Sequence, residues 1–353
     1  MRIKLAILEN DRSYLDRIIA FFNNRYADKV EVYSFSDQSV AMSTLETSKI
    51  DVFLAGESYD IVISDIPKRC GFAYFVDSQG IETIKDQPVI CKYQSIDLIY
   101  KQILAIYSDI SSHMTGVKLG DDNCKLVVFS SPAGGVGTSS LAASCSIYHT
   151  VKGHRTLYLN LEKFGSSDVF FSAEGSFDMT DLIFALKSRK SNFILKLESC
   201  VKKDIHGVSF FSHAKTALDM LELNAEETLQ LINEIKMSGF FDYIIADMDF
   251  DISKEAMKVL KMADFIVWVS DGSDASNTKV FRAYKALEIL SQSQDFSIAK
   301  RIKILYNKFS SQTSNKIEGI ELDSIGGAPR YDRASTQQVL DQLSGMRFFD
   351  TLM

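Results

Sequence analysis

Ser130-Ser131-Pro132-Ala133-Gly134-Gly135-Val136-Gly137-Thr138-Ser139-Ser140 is the stretch around which the chain is organised. The apolar run Lys125-Leu126-Val127-Val128-Phe129 enters it, and a small-residue amphipathic run from Leu141 to Tyr148 leaves it. This order predicts a strand, a glycine-rich turn and the start of a helix. Such a turn aims consecutive backbone N–H groups inward at the positive end of a helix dipole, which makes a concave site for phosphate. The spacing follows G-x-x-x-x-G-K-[ST], but Pro132 stands at its first Gly and Thr138 at its Lys. Ser139 occupies the place of the Mg²⁺-binding hydroxyl. Taken alone, the turn fits a ligand-free strand-to-helix connection equally well, so the rest of the chain has to supply the companions.

Bulk properties bound the answer. At 353 residues the chain is long enough for two domains with sizeable cores. Its net charge of −7 and pI near 5.4 argue against broad non-specific binding to nucleic acid or anionic lipid. The five cysteines are odd in number, scattered and without C-x-x-C spacing, which predicts free thiols in a reducing compartment and no zinc site. The N-terminal run is too short and too quickly polar for a signal peptide, and no apolar run reaches transmembrane length. The expected location is therefore the cytoplasm.

Residues 2–108 read as alternating strands and helices, hence a parallel sheet with right-handed crossovers. Strands are expected at Ile3–Leu8, Val30–Phe35, Asp51–Gly56, Asp60–Asp65 and Val89–Tyr93. Helices are expected after Asp11, from about Gln38 to Ser48 and from about Ile96 to Tyr107. Asp109 to Cys124, with its serines, glycines and Asp121-Asp122, reads as a linker.

Residues 125–353 form the second unit. Three features fall at the carboxyl ends of its expected strands, where open α/β sheets bind ligands. They are the Gly134–Ser140 turn, Asn160-Leu161-Glu162 after Thr156-Leu157-Tyr158-Leu159, and Asp247 with Asp249 after Tyr243-Ile244-Ile245-Ala246. Nucleoside-triphosphate chemistry needs such parts: N–H donors, a hydroxyl and an Asp around Mg²⁺, and a group that places water. Ser139 and Asp247 are the expected metal residues. Trp268, in an apolar strand, reads as core. The terminal run of Val339, Leu340, Leu343, Met346, Phe348, Phe349 and Leu352 lacks the basic face of a membrane-surface helix and is expected to pack on the core or on a partner subunit.

With these residues in place, two resemblances emerge. The order of elements in residues 2–108 resembles a response-regulator receiver domain. Glu9, Asn10 and Asp11 lie where that family binds Mg²⁺, and Lys92 matches its lysine after the fifth strand. Its phosphoacceptor Asp would fall at Ala55 or Gly56, neither of which can be phosphorylated. A domain that docks partners without a phosphorylation switch is expected, with Glu9, Asp11 and Lys92 as solvated loop ends.

Ala133-Gly134-Gly135-Val136-Gly137-Thr138-Ser139-Ser140 resembles the deviant Walker A loop of the ParA/MinD ATPase family, K-G-G-x-G-K-[TS]-[TS]. Phe241 to Asp247 is similar to that family's Walker B strand, and Glu162 takes the position of its water-organising Asp. Asn307 resembles its adenine-reading Asn, and Pro329 its base-contacting loop. The resemblance implies an α/β chain of two three-layer domains with mainly parallel sheets: residues 1–108 receiver-like (flavodoxin-like), 109–124 a linker, and 125–353 a ParA/MinD-like P-loop NTPase. It also implies ATP and Mg²⁺ as cofactors, Gly134, Gly135, Val136, Gly137, Thr138, Ser139, Ser140, Asn307 and Pro329 as the nucleotide site, Ser139 and Asp247 as the metal site, and Glu162 and Asp247 as the catalytic pair.

A receiver-like domain ahead of such an ATPase resembles the TadZ/CpaE group, which helps to position tight-adherence (Flp-type) pilus secretion machinery, often at a cell pole. That implies a homodimer whose receiver-like domain docks pilus assembly proteins. Both family lysines are absent, as Ala133 and Thr138. Losing one charge-stabilising contact costs roughly 10²–10³ in rate, so a nucleotide-binding scaffold with slow or no turnover is expected. Lys163, Lys308, Arg330 and Arg333 are the cations that could substitute. A true dimer-dependent ATPase in partitioning or in pole or septum positioning is the alternative, and DNA binding of the ParA kind is disfavoured by the acidic balance.

Overall fold

The computed structural model describes residues 2–111, 123–188, 192–292 and 298–353. Most of the expected linker, residues 112–122, lies outside the described residues. The chain divides into two compact units, Met1–Val117 with Phe184–Cys200, and Lys118–Ile183 with Val201–Met353. The sequence reading had no place for this return of residues 184–200 to the first unit.

The first unit carries a six-stranded sheet in the order Val30–Phe35, Ile3–Leu8, Val52–Gly56, Gly71–Val76, Gln87–Cys91, Thr83–Ile84. The first five strands are parallel, which is the flavodoxin-like order. Helices Arg12–Arg25 and Ile96–Ile110 cover one face through Leu15, Ile18, Phe22, Ile99, Ile103 and Leu104, and Gln38–Thr47 covers the other through Ala41 and Leu45. Each starts at a side-chain cap: Asp11, Asp37 and Ser95 accept from the N–H groups of Tyr14, Val40 and Leu98. Helix Phe193–Cys200 lies against Ile96–Ile110, with Leu195 packed on the same core.

Two expectations fail here. Asp60–Asp65 is not a strand. Only a short 3₁₀ turn forms at Ile63–Asp65, and the fourth strand is Gly71–Val76, buried along its whole length. Its continuous apolar run is that of a strand covered on both faces and shows no period-two signal. The alternation of Ile61 and Ile63 instead belongs to a loop with Ile61 pressed into the core. Glu9 and Lys92 are not solvated loop ends either. Both are buried, with Lys92 Nζ 2.5 Å from Glu9 Oε2 and 2.8 Å from Asp77 Oδ1. Burial works against the charge of Lys92, but its hydrogen bonds to Asp77 and Glu9 outweigh that, and its pKa lies above the ordinary lysine value. Asp11 is exposed and serves as a helix cap. No helix separates Gly71–Val76 from Gln87–Cys91. A hairpin at Thr83–Ile84 does so, turning at Lys85 and Asp86 with left-handed φ of 49° and 60°.

The second unit carries an eight-stranded sheet in the order Asp323–Gly327, Ile302–Tyr306, Phe265–Ser270, Lys125–Ser130, Tyr243–Asp247, Thr156–Asn160, Ser209–Phe210, Lys202–Lys203. All neighbours are parallel except the last pair. Helix Thr138–Val151 is buried continuously from Leu141 to His149, and its Ala142, Ala143, Ser144 and Ser146 let it approach the sheet closely. The C-terminal run packs on the core of its own unit. Helix Thr336–Ser344, started by a Ser335–Gln338 capping box, lies along Thr138–Val151 and buries Leu340 and Leu343, and the 3₁₀ segment Arg347–Leu352 buries Phe349 and Leu352. Trp268 is core, at 1% exposure.

Candidate functional site

Register brings the expected parts to one end of the second sheet. Asp247 pairs with Phe129 on one side and with Asn160 on the other, so the turn after Phe129 and the residues after Asn160 flank the same acid. Gly134 and Gly135 are exposed, and a Cβ added to either would meet nothing within 4 Å. Val136 is buried beneath them. Gly137 caps helix Thr138–Val151 at φ 86°, and Thr138, Ser139 and Ser140 form its first turn. The loop is pinned from the neighbouring strand: Ser131 Oγ donates to the Val269 carbonyl at 2.6 Å and accepts from Ala133 N–H at 3.0 Å. Ala133 is itself buried at 5% exposure and belongs to the core of this unit.

Asp247 is completely buried. Its Oδ2 accepts from Tyr158 Oη at 2.8 Å and from Asn160 Nδ2 at 3.4 Å. Its Oδ1 is buried and, among the described residues, makes no hydrogen bond of good geometry, although the Ser139 hydroxyl is near enough to favour the charge. Burial, then the charge of Glu162, push the Asp247 pKa above the ordinary carboxylate range. Glu162 Oε1 accepts from Ser139 Oγ at 3.4 Å and its Oε2 from Asn160 Nδ2 at 3.1 Å. Two carboxylates and a hydroxyl thus converge below the glycine loop, with Asp247 Oδ1 buried and lacking a hydrogen bond of good geometry among the described residues.

Asn307 also arrives at the loop. It is buried, and its Nδ2 donates to the Val136 carbonyl at 2.8 Å. A Cβ at Gly137 would stand 2.4 Å from that nitrogen, so only glycine fits there. Lys308 follows at φ 54° and its Nζ donates to the Gly135 carbonyl at 2.8 Å. Pro329 is exposed and adjoins this corner through Ala328, whose N–H donates to Tyr306 O and whose carbonyl accepts from Phe309 N–H. Asp249 makes no hydrogen bond to Asp247 or Glu162 among the described residues. Its Oδ2 accepts from Lys163 N–H at 2.9 Å, and it lines a neighbouring cavity of about 360 Å³ with Ser130, Leu161, Lys163, Phe250 and Asp251, from which its charge still acts on Asp247. Tyr158 was not foreseen as a site residue, and Asn160 was expected only as the start of the Asn160-Leu161-Glu162 feature, not as a donor to Asp247. The signal for these roles is their place four and two residues before Glu162 on a strand at the same end of the sheet as the glycine turn.

Residues 1–108 match the model of a family described as "TadZ-like, receiver domain". The second unit resembles the structure of a ParA family ATPase from Chlorobium tepidum, at 23% identity and a TM-score of 0.52 over 65% of this chain and 98% of that one. A domain matching the TadZ-like receiver model is thus followed by a unit with a ParA/MinD-type fold. Also similar are MinD in a MinC:MinD complex from Aquifex aeolicus (18% identity, TM-score 0.47, 63% and 96% of the two chains) and MinD with Mg-ADP from Pyrococcus horikoshii (13%, 0.48, 63% and 94%). No curated protein matches the sequence. In this receiver-like domain, as in the sequence, the strand that would carry an acceptor Asp closes on Ala55 and Gly56. Among the described residues no helix is long and apolar enough to cross a membrane.

Proposed function

We propose that the second unit binds ATP with Mg²⁺, turns it over slowly or not at all, and acts as the switchable half of a scaffold for a tight-adherence (Flp-type) pilus secretion machine. The observation that carries the nucleotide reading is the buried Asp247 Oδ1, left without a good hydrogen bond beneath an open backbone cradle at a helix N-terminus. A buried acceptor in that state costs about 1–3 kcal/mol unless something else satisfies it.

The donor set suits Mg²⁺. No cluster of three or more His, Cys, Asp or Glu side chains occurs among the described residues, and none is required. Mg²⁺ is ordinarily held by one or two carboxylates, substrate phosphates and waters. Ser139 and Asp247 would hold it, and when bound it would neutralise charge on the phosphates. The N–H groups of Gly134 to Ser140 would take the phosphates, the fixed dipole of helix Thr138–Val151 would favour their charge, and Glu162, held by Asn160 and Ser139, would orient a water. Asn307 and the Pro329 corner would border the base.

Slow turnover follows from the absence of lysine at 133 and 138. ATP then stabilises the state that binds it and does not drive a fast cycle. The receiver domain would dock pilus assembly proteins, the nucleotide-binding unit would pair as a homodimer, and the assembly would be recruited to a cell pole. Calorimetric titration of the full chain with ATP, with and without Mg²⁺, tests the core of this reading. Micromolar Mg²⁺-dependent binding supports it. No detectable binding overturns it, and turnover at an ordinary ATPase rate that Asp247→Ala abolishes would replace it with an active, dimer-dependent ATPase.

A further inference from the structure

We propose that Lys308 is the phosphate-binding cation of the glycine loop, delivered from another strand of the same chain in place of the two lysines that the loop lacks. The inference rests on the nucleotide-binding reading above and goes beyond it, because neither the loop sequence nor the order of motifs assigns a cation.

Four observations converge on this residue. First, the loop carries no positive side chain of its own, with Ala133 buried and Thr138 neutral. Second, the Lys308 ammonium already reaches the loop, donating to the carbonyl oxygen of Gly135 at 2.8 Å, beside the exposed Gly134–Gly135 pair. Its stem runs across the loop as well, since a Cβ on Gly137 would lie 3.7 Å from Lys308 Cε. Third, the backbone at Lys308 is left-handed, at φ 54°, a conformation that costs a non-glycine residue roughly 1–2 kcal/mol. The surroundings impose it. Asn307 N–H donates to Ser270 O, Asn307 Nδ2 is anchored on Val136 O, and Phe309 N–H donates to Ala328 O, so the residue between them has to turn there. Sparsely populated conformations that the surroundings over-determine cluster at binding sites. Fourth, two of the other three candidate cations act on carboxylates of their own: Arg330 pairs with Asp332, and the charge of Lys163 acts on Asp251. Arg333 is also left-handed, at φ 61°, but Lys308 is the one whose ammonium is seen on a carbonyl of the loop.

The arrangement is a placeholder. With no anion present, a backbone carbonyl satisfies one of the three ammonium donors. A phosphate in the cradle offers the same ammonium a charged oxygen, and a charge-assisted bond is roughly twice as strong as a neutral one. A single lysine from beyond the last central strand would thus supply from inside one subunit the countercharge that cross-subunit lysines supply in a paired dimer.

The test compares Mg-ATP binding by the full chain, by Lys308→Asn and by Lys308→Arg. Asn tolerates the left-handed backbone and removes the charge, and Arg keeps the charge. The expected result is a Kd about 10- to 100-fold weaker in Lys308→Asn, the loss expected for a hydrogen bond to a charged group, with Lys308→Arg within a few-fold of the parent. Melting temperatures without nucleotide should stay within a few degrees of one another, which separates loss of charge from loss of fold. Equal affinity in all three overturns the role of Lys308 and leaves nucleotide binding standing. Equal weakening in both variants attributes the effect to loop geometry and also overturns it. Failure of the parent to bind ATP removes the nucleotide reading and this one together.

Discussion

Lys92 and Glu9 form a buried ion pair, 2.5 Å between Nζ and Oε2, at the carboxyl end of the receiver sheet. The pair stands where a receiver domain would gather carboxylates around Mg²⁺, and the ammonium is the local counter-charge. Glu9 Oε1 is used as well, accepting from the N–H groups of Asn10 and Asp11. Breaking one partner leaves the other charge buried, which typically costs 3–5 kcal/mol. Lys92→Ala should therefore lower the urea midpoint strongly, while Glu9→Gln with Lys92→Met should lie much closer to the parent. A phosphoryl mimic such as beryllofluoride with Mg²⁺ should leave the melting temperature of the domain unmoved, because Ala55 and Gly56 offer no acceptor carboxylate.

Asp247 predicts an opposition between stability and binding. Its carboxyl is buried and pushed toward the neutral form by burial and by Glu162. Asp247→Asn keeps an acceptor for Tyr158 Oη and removes the repulsion. Without nucleotide the variant should melt higher than the parent at pH 8, by a few degrees, and Mg²⁺ should no longer strengthen ATP binding to it. A variant that melts lower would show that the carboxylate is stabilised by its surroundings and is not strained.

The glycines of the loop separate by what surrounds them. Gly137→Ala combines a left-handed φ of 86° with a Cβ 2.4 Å from Asn307 Nδ2, so it should lose about 2 kcal/mol or more and displace Asn307. Gly134→Ala has neither problem and should melt like the parent. Its methyl would stand in the open cradle, so it should weaken ATP binding with no change in fold. Thermal melts and titrations on the two variants separate these outcomes.

His149 makes the second unit acid-sensitive. It is fully buried and stacked on Tyr243 at 4.1 Å between ring centres. Burial, then the charges of His154 and Lys125, lower its pKa to about 4. The unfolded chain takes up this proton near pH 6.5, the folded one only near 4, so stability is complete above about 6.5 and declines as pH falls to 4. The loss from this group is on the order of 3 kcal/mol. His149→Phe, which retains a ring against Tyr243, should flatten the urea midpoint between pH 6.5 and 4. An unchanged slope would assign the acid sensitivity to other groups.

Much of this protein was legible in the sequence because its signals are local. Apolar runs ending in small or acidic residues placed the central strands of the second sheet, and the glycine spacing placed the turn, Asp247 and Glu162 at one sheet end. Gly71–Val76 escaped because a strand covered on both faces has no alternation, and Phe193–Cys200 because a short helix is defined by what it packs on. Pairings between distant residues could not be read. Glu9 and Lys92 are individually ordinary loop-end charges. Only the fold, by burying both, turns them into an ion pair, since burial is tolerable for each only when the other is present. Asn307 and Lys308 lie some 170 positions from the loop that they touch. The sequence by itself determined where the glycine turn stands and that the turn lacks a cation. Only the tertiary structure decided which side chain reaches it, because a left-handed residue held between two anchored neighbours aims its side chain in a direction that no local pattern encodes.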